Sequence, residues 1–509
     1  MHALLPIYST DAPTWRPSTP PDLSRYDTIQ LDCESTGLKW YAGDRPVGMA
    51  VGFGDQDVYL PFGHEGGGNL DEDTVRRWAQ RELRGKRIEN HTLSFDLHLL
   101  RAWGVDLAEQ GNTFHDVSHS AALLDDHRRR FNLKSLSEEH LPSDRRKLDH
   151  PIDPSQLWRL PAWDVDAYAC RDTSAVRGLR DVFVPRLAAL GLDRVQALED
   201  DLIPATVELE HNGCPLDEDL LHAWLRDSET RLEETLWSVI RRVGFQVNPG
   251  SGPDMVRVFQ QLGLKITQFT PPSTKHPQGQ PSFTADVLRA IDHPVIKDLF
   301  LCAKLADIRD KFLLPYTAMA VNGTLYPTFH QLANDSDGSV KGTVSGRYSA
   351  ANPNVTAVLG KNKFERDYVG LPYVIRRLFI PRQGRWYCAD QAQVEFRLAV
   401  HVAAVCGIRG SDRLVQRYLD DPLTDFHDVV AEMLKRLRPG LNRTEVKITN
   451  FRKLYGGGAR AISRSLNISL EAAEELSAQH TDAFPPLAKV LKWAQYRAES
   501  RGEVRSVLG

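Results

Sequence analysis

Between Tyr26 and about residue 62 the chain alternates short apolar runs with Gly, Asp and Pro: "TIQLDCEST", "VGMAVGFG" and "DVYLPFG". Runs of that length between turn residues predict strands joined as a β-meander. The apolar spacing then lengthens to threes and fours in "DTVRRWAQREL", "FDLHLLRAW", "VSHSAALLDD" and "DVDAYACRDTSAVRGLRDVFVPRLAALG", which predicts helices. Strands followed by helices define an α/β unit ending near residue 190. From 196 to 320 the pattern stays helical, apart from the Pro- and Gly-rich "TPPSTKHPQGQPSFT". A second strand-like region, 322–400, carries "NGTLYPTFHQ" and "WYCADQAQVEFRLAV"; helices return from 405 onward. Residues 1–24, rich in Pro, Ser and Thr, read as an irregular arm. No internal repeat is visible.

A chain of 509 residues is too long for one core, so two to four domains are expected. The net charge of −4 gives no global reason to expect a polyanionic partner, so any nucleic-acid surface must come from local clusters of Lys and Arg. Six scattered cysteines without a CxxC pair suit reduced thiols in a cytoplasm better than disulfides or zinc. No apolar run reaches membrane length and no signal-peptide pattern opens the chain. A soluble, cytoplasmic protein without a membrane partner is expected.

Candidate chemistry begins in "IQLDCESTGL". Asp32 and Glu34 are two apart on a predicted strand, so both point to one face. Asp96 in "LSFDLHLL" and Asp172 in "YACRDTSAV" lie in helical patterns, with Tyr168 one turn before Asp172. Converging carboxylates repel unless hard cations neutralise them, and Mg²⁺ suits oxygen ligands. Two such ions can activate a water and stabilise a leaving oxygen in phosphodiester hydrolysis. An Asp on a helix is ordinarily just solvated; the ordered set carries the reading.

In the second half, "RTEVKITNFRKLYGGG" places Arg443, Lys447, Phe451 and Tyr455 at intervals of four, one slowly rotating stripe on a helix. Residues 443–464 hold six Lys or Arg against the single acid Glu445. Cations followed by rings suit a nucleoside triphosphate. An amphipathic helix with Phe and Tyr in the core is the plainer alternative. "GTVSGRYSAANPNV" is turn-rich, and Asn-Pro-Asn is ordinary turn chemistry by itself.

Together these segments resemble a known family. DxE on a strand, then "FDxxxL", then YxxxD is similar to the DEDD exonuclease motifs in their tyrosine variant. "TxxGRxSxxNPN", "DxxQxExR" and "RxxxKxxxFxxxYG" resemble the polymerase module of the family A DNA polymerases, typified by bacterial DNA polymerase I. The resemblance implies an α/β multidomain fold: a ribonuclease H-like exonuclease domain followed by the thumb, partial palm and fingers of a right-hand polymerase. It implies an arm at 1–24, the exonuclease domain at 25–195, thumb and connecting helices at 196–341, and the first part of the palm at 342–404. Fingers at 405–490 and a return segment at 491–509 complete the layout.

Its implied site residues follow. Asp32, Glu34, Asp96 and Asp172 hold two Mg²⁺, Tyr168 orients the water, and Asp390 is a palm metal ligand; Mn²⁺ can substitute. Gln393, Glu395, His427, Arg443, Lys447, Phe451 and Tyr455 serve the incoming dNTP. Thr343, Arg347, Asn352, Asn354 and Arg397 bind primer-template DNA, with Arg376 or Arg377 second-rank phosphate contacts. The chain departs from the family pattern at Thr92, where Asn is usual four residues before the acid. It also departs at Ala392 and Phe396, in place of Ser and Leu, and at Thr356, in place of Gln.

Two-metal nucleotidyl transfer needs a second palm carboxylate. The resemblance places it in a His-Asp-Glu turn well after the fingers, and no such turn follows Tyr455. The expectation is a split polymerase of phage type, working in the host cytoplasm, whose second polypeptide completes the palm. A 3′→5′ exonuclease whose polymerase half only grips DNA, and a truncated chain, are the alternatives.

Overall fold

The computed structural model describes residues 14–332, 334–335, 340–343, 345–360, 364–365, 368, 370–437 and 443–506. The chain divides into two compact units, residues 1–386 and 387–509.

In the first unit the expected meander forms as β1 (Thr28–Ser35), β2 (Pro46–Phe53) and β3 (Gln56–Pro61), paired antiparallel. β2 is buried along its whole length, which is why its sequence is a continuous apolar run. Next come α1 (Glu72–Glu82), β4 (Arg87–Asn90), α2 (Leu93–Ala102), β5 (Thr113–Asp116), α3 (Val117–Leu124), α4 (Leu133–His140) and α5 (Ala162–Leu190). The Asp71 carboxylate caps α1 by accepting from the Thr74 amide, and Asn132 caps α4 likewise through Ser135.

The sheet order is β3-β2-β1-β4-β5, with β4 and β5 parallel to β1. These two parallel strands were not anticipated. Each is four residues long with one large apolar side chain, Ile88 or Phe114, too short a run to show a period.

One sheet face buries Ile29, Leu31, Met49 and Val51 against Trp78 of α1 and Leu97 and Leu100 of α2. On the other, α5 lays Val165, Tyr168 and Ala169 over Ala50 and Tyr59. Because side chains alternate along β1, Asp32 and Glu34 leave the Ile29–Leu31–Cys33 face and turn toward α5. The arm over 14–24 is irregular, as expected, yet Leu23 is fully buried and Trp78 Nε1 donates to the Pro21 carbonyl (2.7 Å).

The rest of this unit is mainly helical: α6 (Asp193–Asn212), α7 (Glu218–Val243), α8 (Gly252–Gln261), α9 (Ala285–Arg289), α10 (Pro294–Ile308) and α11 (Leu314–Met319). α7 packs on α10 around Val239, Val243, Ile296 and Leu299. Between Thr328–His330 and Ser349–Ala351 a short antiparallel pair forms, with Phe329 opposite Ala350.

The second unit holds seven described helices: α12 (Val394–Val405), α13 (Ser411–Asp420), α14 (Phe426–Leu437), α15 (Arg443–Leu454), α16 (Ala459–Leu466), α17 (Leu470–Ala483) and α18 (Pro485–Arg501). They enclose Phe396, Phe426, Val430, Val446, Ile462, Leu476 and Phe484.

Here one expectation is corrected. The alternation in "WYCADQAQVEFRLAV" predicts a strand, but residues 385–391 have no regular structure and α12 starts at Val394. The apolar alternation Val394, Phe396, Leu398, Val400 imitates a strand. The residues that are buried, Phe396, Val400 and Ala403, follow helical spacing instead. Among the described residues no strand pairs with 385–391, and an unpaired strand has nothing to hold it.

Candidate functional site

The four acids of the first unit come from three elements: Asp32 and Glu34 from β1, Asp96 from α2, and Asp172 from α5, one turn after Tyr168. Both Asp96 oxygens are held: the Cys33 amide donates to one (2.8 Å) and Asn90 Nδ2 to the other (2.7 Å). Asp172 is buried, and its Oδ1 has no hydrogen-bond partner. Its Oδ2 accepts from the ammonium of Lys147, which also lies 4.5 Å from the Tyr168 ring centroid.

The electrostatics are those of a crowded anionic site. Burial pushes Glu34 up to about 8, aided by the charges of Asp32 and Asp172. Asp172 rises to about 7, again by burial and then by Asp32, with Lys147 opposing. Asp96 stands well above the carboxylate range for want of solvent and because Asp32 is near. Asp32 is raised by burial against the pull of Lys147 and Asn90. Burial works against the charge of Lys147, but Asp172, Tyr168 and Asp32 outweigh it and hold the ammonium above the usual lysine range.

Among the described residues no three acidic, imidazole or thiol groups are disposed as a closed metal site. The donor set nonetheless fits a hard divalent cation: all oxygen, desolvated, mutually repelling, with one orphaned carboxylate oxygen and a lysine ammonium standing in. Asp32, Glu34, Asp96 and Asp172 are the residues that would hold it.

The departure at Thr92 has a structural counterpart. Thr92 sits at φ +61°, ψ +44°, a left-handed conformation that β-branched residues resist and Asn tolerates. Its hydroxyl does not cap α2; the Leu93 amide donates instead to Asp116 Oδ2 (2.9 Å), which also caps α3. Asn90 and Asp116 were not picked out from the sequence. Asn90 ends β4 two residues before the position where the family's Asn was sought, and it supports Asp96 from there. Thr92→Asn is expected to stabilise the protein by about 1 kcal/mol in a urea titration.

Beside this cluster, a cavity of about 460 Å³ is lined by Trp40, Tyr41, Phe95, Tyr326, Pro327 and Asn352. Tyr41 stacks on Tyr326 at 4.6 Å, and Trp40 stacks on His98 and His211 at 4.8 and 4.3 Å. Phe95, in this lining, immediately precedes Asp96 in the chain.

The Thr343–Asn354 segment lies in the same unit. Thr343 Oγ1 donates to the Arg347 carbonyl (2.7 Å), Arg347 is exposed, and Asn354 accepts from Thr356 (2.6 Å). Asn352 has φ +55° and faces the aromatic cavity. Arg376 and Arg377 are exposed on a short 3₁₀ turn, Ile375–Leu378.

In the second unit Asp390 is exposed on the irregular segment. Gln393 Oε1 accepts from the Phe426 amide (2.7 Å), capping α14, and Arg397 Nε donates to the Ala392 carbonyl (2.9 Å) with its guanidinium over the Tyr418 ring. The stripe continues past the end of α15, since the Tyr455 amide still donates to the Phe451 carbonyl (3.0 Å). Lys447 is exposed, Phe451 half-buried against Phe396 and His427, and Tyr455 exposed with its hydroxyl 3.4 Å from Glu395 Oε1. The structure thus brings Glu395 and Tyr455 together. The Arg443 side chain lies outside the described residues.

His427 is buried. Asn450 Nδ2 lies 3.0 Å from His427 Nδ1, and His480 Nε2 lies 2.7 Å from Asn450 Oδ1. This relay ties α14, α15 and α17. Burial and then Lys453 lower His480 to about 4. A histidine neutral when folded and protonatable when unfolded contributes stability that is complete above about 6.5 and lost as pH falls toward 4. In His480→Phe the acid-side slope of stability should shrink by up to about 3 kcal/mol over that window, read from urea midpoints at stepped pH.

The fold is a multidomain α/β architecture. It superposes on the solved structure described as "POL domain of Pol1 from M. smegmatis complex with DNA primer-template and dNTP" with a TM-score of 0.73 at 19% identity, over 97% of this chain and 80% of that one. The chain belongs to DNA polymerase family A, whose family model matches residues 218–509. A relative named DNA polymerase DpoZ, from Salmonella phage PMBT28, is 27% identical over 96% of this chain and 82% of its own length. The DNA-directed DNA polymerase of Pseudomonas phage M6 is 27% identical over 91% and 72%. The thermostable DNA polymerase I of Thermus aquaticus is 26% identical over 61% of this chain and 35% of its own length. Among the described residues no helix is long and apolar enough to cross a membrane.

Proposed function

We propose that this family A chain is a template-directed DNA polymerase with a 3′→5′ proofreading exonuclease, acting on primer-template DNA and dNTPs. The observation that carries the exonuclease is the gathering of Asp32, Glu34, Asp96 and Asp172 from three elements, with Tyr168 one turn from Asp172. Divalent magnesium held by these acids supplies the charge that activates water and stabilises the leaving oxygen. The chain's own part is orientation. Cys33 and Asn90 fix the Asp96 carboxylate, Tyr168 offers a hydroxyl to place the attacking water, and the Tyr41–Tyr326 and Trp40 faces offer stacking for an unpaired strand.

For nucleotidyl transfer, Asp390 is the metal ligand, Arg443 and Lys447 hold the triphosphate, Phe451 packs by the incoming sugar, Tyr455 lies near the template base, and Glu395 disfavours a 2′-hydroxyl. His427 is buried and Gln393 accepts from the Phe426 amide, which supports reading both as backing for these groups. A second palm carboxylate is required. We propose that it is carried by chain outside residues 387–509, which in the split reading is a second polypeptide. Val394, Leu398 and Val405 form an exposed apolar face on α12 beside the unpaired Asp390 segment, suited to a covering layer. That same exposed segment favours the second reading, an exonuclease whose polymerase half only grips DNA.

Primer extension separates the two. With Mg²⁺ and dNTPs, the chain alone should degrade single-stranded 3′ ends without extending a primer. Extension should appear on adding a polypeptide that bears the missing carboxylate. Extension by the isolated chain would contradict the split palm, and none under any complementation would leave the exonuclease alone.

A further inference from the structure

We infer that Lys147 is a fifth functional residue of the acidic centre: it is the resident counter-ion of Asp172, filling the cation's place until a divalent ion arrives. This rests on the exonuclease reading above.

The loop carrying Lys147 is fixed independently of the ion pair. Its amide donates to Ser137 Oγ (3.1 Å); Ser137 is fully buried on α4 and donates in turn to the Lys134 carbonyl (2.9 Å). Arg146 Nε donates to the Leu141 carbonyl (2.9 Å). From that anchored backbone the side chain crosses to α5, sets its ammonium on Asp172 Oδ2 and lies against the Tyr168 ring.

The two partners are unequally placed. The Lys147 side chain is 21% exposed and that of Asp172 6%, so the lysine has a solvent side toward which its flexible stem can withdraw while the carboxylate stays. One ammonium acts on three carboxylates, Asp172, Asp32 and Glu34, and Asp172 Oδ1 still lacks a partner. A single monovalent cation therefore meets only part of the site's need. A divalent ion meets more of it and competes for the same oxygen. Lys147 is a positioning residue: it keeps the metal-free acids from repelling one another and sets how much metal is needed to displace it.

The test uses the full chain, with manganese as the probe followed by electron paramagnetic resonance, and melting temperature in chelator as a second readout. Lys147→Met should bind Mn²⁺ about tenfold more tightly than the wild type, the scale of one charge-assisted hydrogen bond lost to the competitor. It should melt lower in chelator, with the gap closing as Mn²⁺ is added. Should Lys147→Met not fold, Lys147→Arg keeps the counter-ion and should bind Mn²⁺ no more tightly than wild type. Unchanged or weaker Mn²⁺ binding in the Met variant, or tighter binding in the Arg variant, overturns the inference. Asp172→Asn separates the two levels. Loss of a Mn²⁺ site there upholds the exonuclease reading whatever Lys147 does; Mn²⁺ binding equal to wild type sinks both.

Discussion

Asp32→Ala is expected to slow 3′→5′ degradation of single-stranded DNA by about 10³-fold or more, with no loss of stability. The rate effect follows from removing a central carboxylate of the proposed two-metal site, which costs several kcal/mol of transition-state stabilisation. The stability effect follows from the same burial. Asp32 carries a carboxyl whose ionisation is already disfavoured by its surroundings, so its removal relieves repulsion on Glu34, Asp96 and Asp172. The variant should melt no lower than wild type in chelator. A 3′-labelled oligonucleotide assay beside a melting curve reads both; retained degradation would remove the assignment of this centre.

The second large effect is expected away from the chemistry. Arg177 on α5 is buried, and its guanidinium donates to both oxygens of Asp57 on β3 (3.1 and 2.5 Å) and to Gln30 Oε1 on β1 (3.2 Å). Thr173 adds a bond to the same Asp57 (2.8 Å). This clamp fastens α5 to the sheet one turn beyond Asp172, so it sets where Tyr168 and Asp172 stand over β1. Arg177→Met leaves Asp57 as a part-buried charge without its main partner. It should cost about 3–5 kcal/mol of unfolding free energy, measured by urea titration. Exonuclease activity should fall in proportion to misplacement of Asp172. Adding Asp57→Leu should recover part of the stability, because it is the orphaned charge rather than the lost pair that is expensive. A double variant as unstable as the single one would contradict that account.

Both expectations depend on features only partly legible in the sequence. The DxE alternation on β1 and the YxxxD turn on α5 were readable because strand and helix periods fix which side chains share a face, and the structure puts them face to face. β4 and β5 were not, since four residues with one large apolar side chain carry no period. Consequently Asn90 and Asp116, which end those strands, went unnoticed although they hold Asp96 and the start of α2. Lys147 has no fixed spacing to Asp172, and only tertiary folding brings the two together. The reverse error occurred at 386–400. A two-residue alternation in an α-helix mimicked a strand, and what distinguished them was which positions had neighbours to pack against.

Over Arg443–Leu454 the alternation of cation, cation, ring, ring predicts a helical stripe, and the structure forms a helix there. Whether its rings were core or surface was open, and the structure divides them: Phe451 packs on His427 while Tyr455 is exposed near Glu395. Burial of His427 was invisible because His480, its indirect partner through Asn450, lies a further helix and turn along the chain.

The claim that everything else leans on is that Asp32, Glu34, Asp96 and Asp172 gather divalent ions. Anomalous diffraction from a manganese-soaked crystal tests it most directly. A peak bounded by Asp32, Glu34 and Asp172, with the Lys147 ammonium moved off Asp172, is the expected result. No peak there, with Lys147 still seated on the carboxylate, would contradict it.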